Sequence, residues 1–202
     1  MPKFVGLSAV GIILLASVAL SQARADVATA IQLYHAARYA EGRMMLEQVL
    51  ATHQDDAVAH YYLGKIYIKL QNYDKAVEHC KAAVKIQKQN AEHHFCLGLS
   101  YGKKAQRGSF LAKAFLAPRI KKSFKQTVAL DPNHIQARVG LANFYIRAPA
   151  LLGGNLDKAY EQATILLKLD AEKGQALLDK VQQRRIRQSS AEAAALELLP
   201  DS

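Results

Sequence analysis

Apolar residues return every three or four positions along most of this chain, in stretches separated by short polar breaks. The stretch from Ala57 to Asn90 shows it most plainly. It divides at Gln71-Asn72 into two halves. Leu63, Gly64 and Tyr67 recur on one face of the first half, and Ala76, Cys80 and Ala83 on one face of the second. A helical period on both sides of a polar break predicts two amphipathic helices joined by a tight turn. Ala, Leu, Lys, Gln and Glu recur throughout, with 5 Pro and no Trp, so an all-α fold is expected.

The pattern repeats. A copy starts at Ala91, 34 residues after Ala57, and puts Leu97, Gly98 and Tyr101 in phase; another from Ile135 does so with Leu141, Ala142 and Tyr145. Upstream, Tyr39-Ala40-Glu41-Gly42 stands 34 residues before Tyr73-Asp74-Lys75-Ala76, and helix cores fall at Val27, Ile31, Leu33, Tyr34, Leu46, Val49 and Leu50. The copy from Ala91 closes ten residues late, at Phe124, Thr127 and Leu130-Asp131-Pro132-Asn133. Its surplus lies in Gly102 to Arg119, where Gly108-Ser109 can end one helix and cap another. Pro118 predicts a kink or a fresh start in the second helix. The next copy carries a surplus of five within Arg147 to Asn155, where Pro149 and Gly153-Gly154 predict a loop.

A period of about 34 residues with a small residue at each helix crossing resembles the tetratricopeptide repeat. The resemblance implies a right-handed α-solenoid of about four helix-turn-helix repeats: 26–56, 57–90, 91–134 and 135–171. A capping helix, 172–188, would carry Leu177, Leu178 and Val181 inward and a polar face outward. Residues 189–202 would be a frayed or disordered tail. The resemblance also implies that the protein binds a polypeptide in a concave groove, with no cofactor and no catalysis. Its groove positions fall on Tyr61, Lys65, Lys69, Phe95, Leu99, Lys103, Asn143 and Arg147. The carboxylate clamp of chaperone-binding relatives is only partly matched, by Lys65, Lys69, Asn143 and Arg147, so that specificity is not carried over.

The first 25 residues change the picture of compartment. Lys3, an uncharged apolar run from Phe4 to Leu20, and Ala23-Arg24-Ala25 predict a secretory signal peptide cut after Ala25. The alternative is an uncleaved membrane anchor. Asp26 would then cap the first helix of an exported, periplasmic protein. Cleavage removes Lys3 and Arg24 and no acid, so the formal charge falls from +10 to +8. That balance favours anionic partners and surfaces without specifying one, and the polypeptide expected in the groove is accordingly an acidic protein or peptide.

Charge is also unevenly placed. No acidic residue stands between Glu92 and Asp131, while Lys103, Lys104, Arg107, Lys113, Arg119, Lys121, Lys122 and Lys125 all do. A charge run is ordinarily a solvated face. Eight cations around an insertion point to an acidic protein, a polyanionic envelope polymer or an anionic membrane surface, and export disfavours nucleic acid.

In an oxidising compartment Cys80 and Cys96 form either a disulfide or two separate buried thiols. His60, His79, His93 and His94 around them suggest a rival reading, a protein that handles copper or zinc. No C-x-x-C pair or H-E-x-x-H motif supports it, and packing explains His60 and His94. Gly153-Gly154-Asn155 lacks the flanking residues of a phosphate loop and is expected to be a turn. With no nucleophile motif and no spaced acid pair, the chain is expected to be a non-enzymatic scaffold of the bacterial envelope. The alternatives are the metal-handling protein and a membrane-surface structural protein held by the basic insertion.

Overall fold

A computed structural model describes residues 9–197, and among these every regular element is a helix. In chain order they are α1 (Ala9–His35), α2 (Tyr39–Thr52), α3 (Ala57–Lys69), α4 (Tyr73–Ile86), α5 (Ala91–Arg107), α6 (Phe110–Leu130), α7 (Ile135–Arg147), a 3-10 turn (Ala150–Leu152), α8 (Leu156–Leu169) and α9 (Ala171–Glu197). The fold is the all-helical, hairpin-repeat architecture of the α-solenoid class. The chain forms two compact units, Met1–Lys88 and Gln89–Ser202.

In the first unit α1 packs on α2, α2 on α3 and α3 on α4. Its core joins Val27 and Ala30 of α1, Leu46 and Val49 of α2, Ala59, Leu63, Ile66 and Tyr67 of α3, and Ala76 of α4. Gly42 is the crossing point: a Cβ there would lie 3.3 Å from the Ala30 carbonyl and 3.4 Å from Ile66 Cδ1. The turns are set by side chains. Asp56 accepts from the Ala59 N–H at 2.8 Å and Asn72 from the Lys75 N–H at 3.2 Å, each satisfying a donor that a helix start would leave orphaned. With the leader attached, Asp26 lies inside α1, where its carboxylate accepts from Gln22 Nε2 at 3.0 Å. No Gly or Pro occurs between Ile12 and His35, so nothing in the sequence breaks the helix at that point. Part of the predicted leader, residues 1–8, lies outside the described residues.

In the second unit α5 packs on α6, α6 on α7, α7 on α8, and α9 on both α8 and α7. Phe124 of α6 is its wedge. A Cβ at Gly98 of α5 would come within 2.9 Å of that ring, and one at Gly140 of α7 within 2.8 Å. Further along, Ala142, Ala163, Leu166 and Leu177 form a core flanked by Ile135, Val139, Ile146 and Leu178. Arg138 is buried and bonded on two sides: Nε donates to the Pro132 carbonyl at 2.7 Å and Nη1 to Gln162 Oε1 at 2.9 Å. It thereby ties the turn before α7 to α8.

The ten-residue surplus is helix, not loop. Against the α3–α4 pair, α5 is longer by four residues and α6 by seven, and the linker is shorter by one, which accounts for the ten. Gly108 ends α5, and Ser109 caps α6 by accepting from the Ala112 N–H at 3.4 Å. Of the two alternatives expected at Pro118, the fresh start does not occur: α6 runs through it. Pro118 is exposed, so the Ala114 carbonyl deprived of its donor faces the wetted side, where water replaces it. The five-residue surplus is the 3-10 turn and Gly153-Gly154, with Gly153 in the left-handed region at φ 92°.

α9 continues as helix past residue 188 to Glu197, and Val181 is its last buried side chain among those described. Beyond that point Arg185 bonds Asp157 Oδ1 at 2.6 Å and lies over the Tyr160 ring. Helix formers without Gly or Pro from Gln175 to Glu197 carry the helix where packing no longer does. Residues 198–202 of the expected tail lie outside the described residues.

Candidate partner-binding site

Of the eight residues that the repeat pattern assigns to a groove, the first unit holds three. Tyr61 and Lys65 come together on α3, and Lys69 is exposed in the last turn of that helix. The Lys65 ammonium sits over three tyrosine rings, 4.7 Å from the centroid of Tyr34 and 5.0 Å from those of Tyr61 and Tyr62. The rings support one another: Tyr34 meets Tyr62 edge-on at 5.6 Å, Tyr61 meets Tyr62 at 5.2 Å, and Tyr39 leans on Tyr34 at 5.8 Å. Burial, with Tyr39 and Tyr62 adding to it, pushes the Tyr34 phenol above its usual range. The ring therefore stays neutral, with its electron-rich face available to the cation. Each such contact is worth about 0.5–1 kcal/mol at a partly wetted site. The result is a cation held on an aromatic floor, suited to a carboxylate flanked by apolar groups.

Sequence reasoning found Lys65 and Tyr61 but assigned Tyr34 to the core and missed Tyr62. Tyr34 stands near the end of α1 and meets α3 only because Gly42 lets the helices approach. Nothing in the linear spacing marks that meeting.

The second unit holds the other five. Phe95 is half-buried against Phe124, with centroids 6.0 Å apart, and against His134 at 4.7 Å, so it serves packing. Leu99 and Lys103 are partly buried along α5. Asn143 turns its amide back to the Val139 carbonyl at 2.9 Å, and Arg147 is exposed in the last turn of α7.

The basic residues of the insertion divide between two helices. Lys103, Lys104 and Arg107 lie on α5, whereas Lys113, Arg119, Lys121, Lys122 and Lys125 lie on α6. Arg119 folds its guanidinium over Phe115, 4.3 Å from the ring centroid, and approaches Tyr101 at 5.9 Å.

The histidines form no metal centre: among the described residues no three His, Cys, Asp or Glu side chains gather to hold an ion. His60 and His79 instead bond each other. His60 Nε2 donates to the Gln54 carbonyl at 3.0 Å, which leaves Nδ1 to accept from His79 Nδ1, also at 3.0 Å. His79 stacks flat on Tyr67, 5.4 Å away, and the Tyr67 hydroxyl donates to Glu47 at 2.6 Å. Burial, then His60, holds the His79 pKa down at about 4, so His79 is neutral at pH 7. Cys80 and Cys96 are both buried, and neither is a free thiol. Among the described residues no helix is long and apolar enough to cross a membrane.

Residues 33–94 match the family model of the tetratricopeptide repeat. No curated protein matches the chain by sequence. Solved structures do match its fold. The thermophilic repeat protein TTC0263 of Thermus thermophilus is 19% identical, with a TM-score of 0.62 over 85% of this chain and 99% of that one. MamA from Desulfovibrio magneticus RS-1 is 20% identical, with a TM-score of 0.61 over 74% and 76%. An O-GlcNAc transferase of Thermobaculum terrenum is 17% identical, with a TM-score of 0.63 over 74% of this chain but only 26% of the enzyme.

Proposed function

This chain is a tetratricopeptide-repeat protein, and from that premise we propose that it is a non-enzymatic scaffold binding an acidic polypeptide in the bacterial envelope. The observation that carries the proposal is the Lys65 ammonium over Tyr34, Tyr61 and Tyr62. A lysine pre-positioned on rigid aromatic rings meets a carboxylate without first surrendering its rotamer entropy, while the rings bury the apolar neighbours of that carboxylate. Lys69, exposed in the last turn of the same helix, would steer the ligand toward it. Export through the leader and a Cys80–Cys96 bond belong to the same proposal, since an oxidising compartment preserves such a bond.

The test is crosslinking of the tagged chain in its own host, with the leader intact, beside Lys65→Glu. Capture of one dominant acidic partner that falls about tenfold in the variant is the expected result. Capture that Lys65→Glu leaves unchanged overturns the assignment of the site. The same material run without reductant should show Cys80 and Cys96 joined, and two alkylatable thiols would remove that part of the proposal.

A further inference from the structure

The outward side of α6 has a second feature that peptide binding does not use. Phe110, Leu111 and Phe115, in its first two turns, are 68%, 78% and 64% exposed, more than any core packing requires. Leu111, Phe115, Pro118, Lys122 and Lys125 fall at helical spacing on one exposed face. Along that face the helix changes from apolar to cationic: Lys122 and Lys125 continue it, Arg119 is exposed beside it, and α6 carries no carboxylate of its own.

We propose that this face of α6 docks on an anionic lipid bilayer, with Phe110, Leu111 and Phe115 entering the headgroup–acyl boundary and the lysines lying among the phosphates. The Arg119 guanidinium over Phe115 keeps a charge beside the ring that would enter, as an amphipathic side chain at a membrane boundary does. Bulky exposed side chains backed by cations suit a soft, laterally mobile anionic surface, which needs no shape match. An acidic protein would require complementary cavities instead. This inference is independent of the Lys65 site.

The chain has no Trp, so Phe115→Trp supplies a single reporter within the face itself. Vesicles of phosphatidylcholine with about one-third phosphatidylglycerol should shift its emission to the blue, and acyl-brominated lipid should quench it. The readout is local, so the apolar run from Phe4 to Leu20 cannot produce it. Lys122→Glu/Lys125→Glu, made in the reporter chain, should cut partitioning at least about tenfold, as should Phe110→Ser/Leu111→Ser. These side chains are exposed, so helicity and melting should stay near those of the parent. An emission that stays red and unquenched in the reporter chain overturns the proposal. So does partitioning that survives Phe110→Ser/Leu111→Ser but vanishes in 0.5 M salt, since that marks charge adsorption without insertion. A shift produced by polyglutamate and not by vesicles assigns the face to an acidic protein instead.

Discussion

The α3–α4 and α5–α6 pairs follow one ground plan and differ in how they use it. Both open with a helix whose eighth residue is a buried glycine, Gly64 in one and Gly98 in the other. Six residues before the end of the second helix, α4 has the small Cys80 and α6 the large Phe124. One position earlier, His79 of α4 gives way to Ser123 of α6. The ten added residues lengthen α5 and α6 at their joined ends and leave the later register intact. A helical pair can therefore grow outward by whole turns while its crossing point stays fixed. What it gains is surface, and in α6 that surface is apolar and basic.

The sharpest way to break the comparison is at Phe124. Phe124→Ala should cost about 3–5 kcal/mol, because it empties the space between Gly98 and Gly140. Gly98→Ala alone should cost about 1–3 kcal/mol through overpacking on the ring, less the roughly 1 kcal/mol gained from helix propensity. In the Phe124→Ala chain the same Gly98→Ala should turn neutral or stabilising. Denaturant midpoints for the four proteins give the coupling, and simple additivity would show that the ring does not set the crossing.

A smaller difference is chemical. The His79 pKa is held down at about 4, whereas an unfolded histidine titrates near 6.5. Between those values the unfolded chain binds a proton that the folded one refuses, so stability must fall as pH drops from about 6.5 to about 4. Allowing for partial solvent screening, the loss is on the order of 2 kcal/mol. Amide exchange in α3 and α4 should accelerate over that window, and His79→Ser, which installs the α6 counterpart, should flatten the dependence. A slope unchanged by His79→Ser would acquit the histidine pair.

The smallest effect concerns the turns. Asn72→Ala should cost about 1 kcal/mol, and Ser109→Ala about half as much, since its cap bond is the longer one. Melting temperatures that rank the two in the opposite order would mean that the short Gly108-Ser109 link depends on its cap more than the ordinary turn does.

The sequence determined much of this by itself. Helical period, polar breaks and spacing of small residues located α2 to α5, the cap at Ser109 and the loop after α7, because these are local properties of adjacent residues. It also marked Lys65, Tyr61 and the cation run. At Pro118 it left a kink and a fresh start open, and α6 runs on without the fresh start because the carbonyl that loses its donor lies on the wetted side. Only the tertiary structure decided that Tyr34 and Tyr62 join Lys65, that His60 bonds His79, and that Phe124 fills the space at Gly98 and Gly140. Each of those contacts depends on how closely two helix backbones approach. That distance is set by side chains far apart in the chain, so no local pattern carries it.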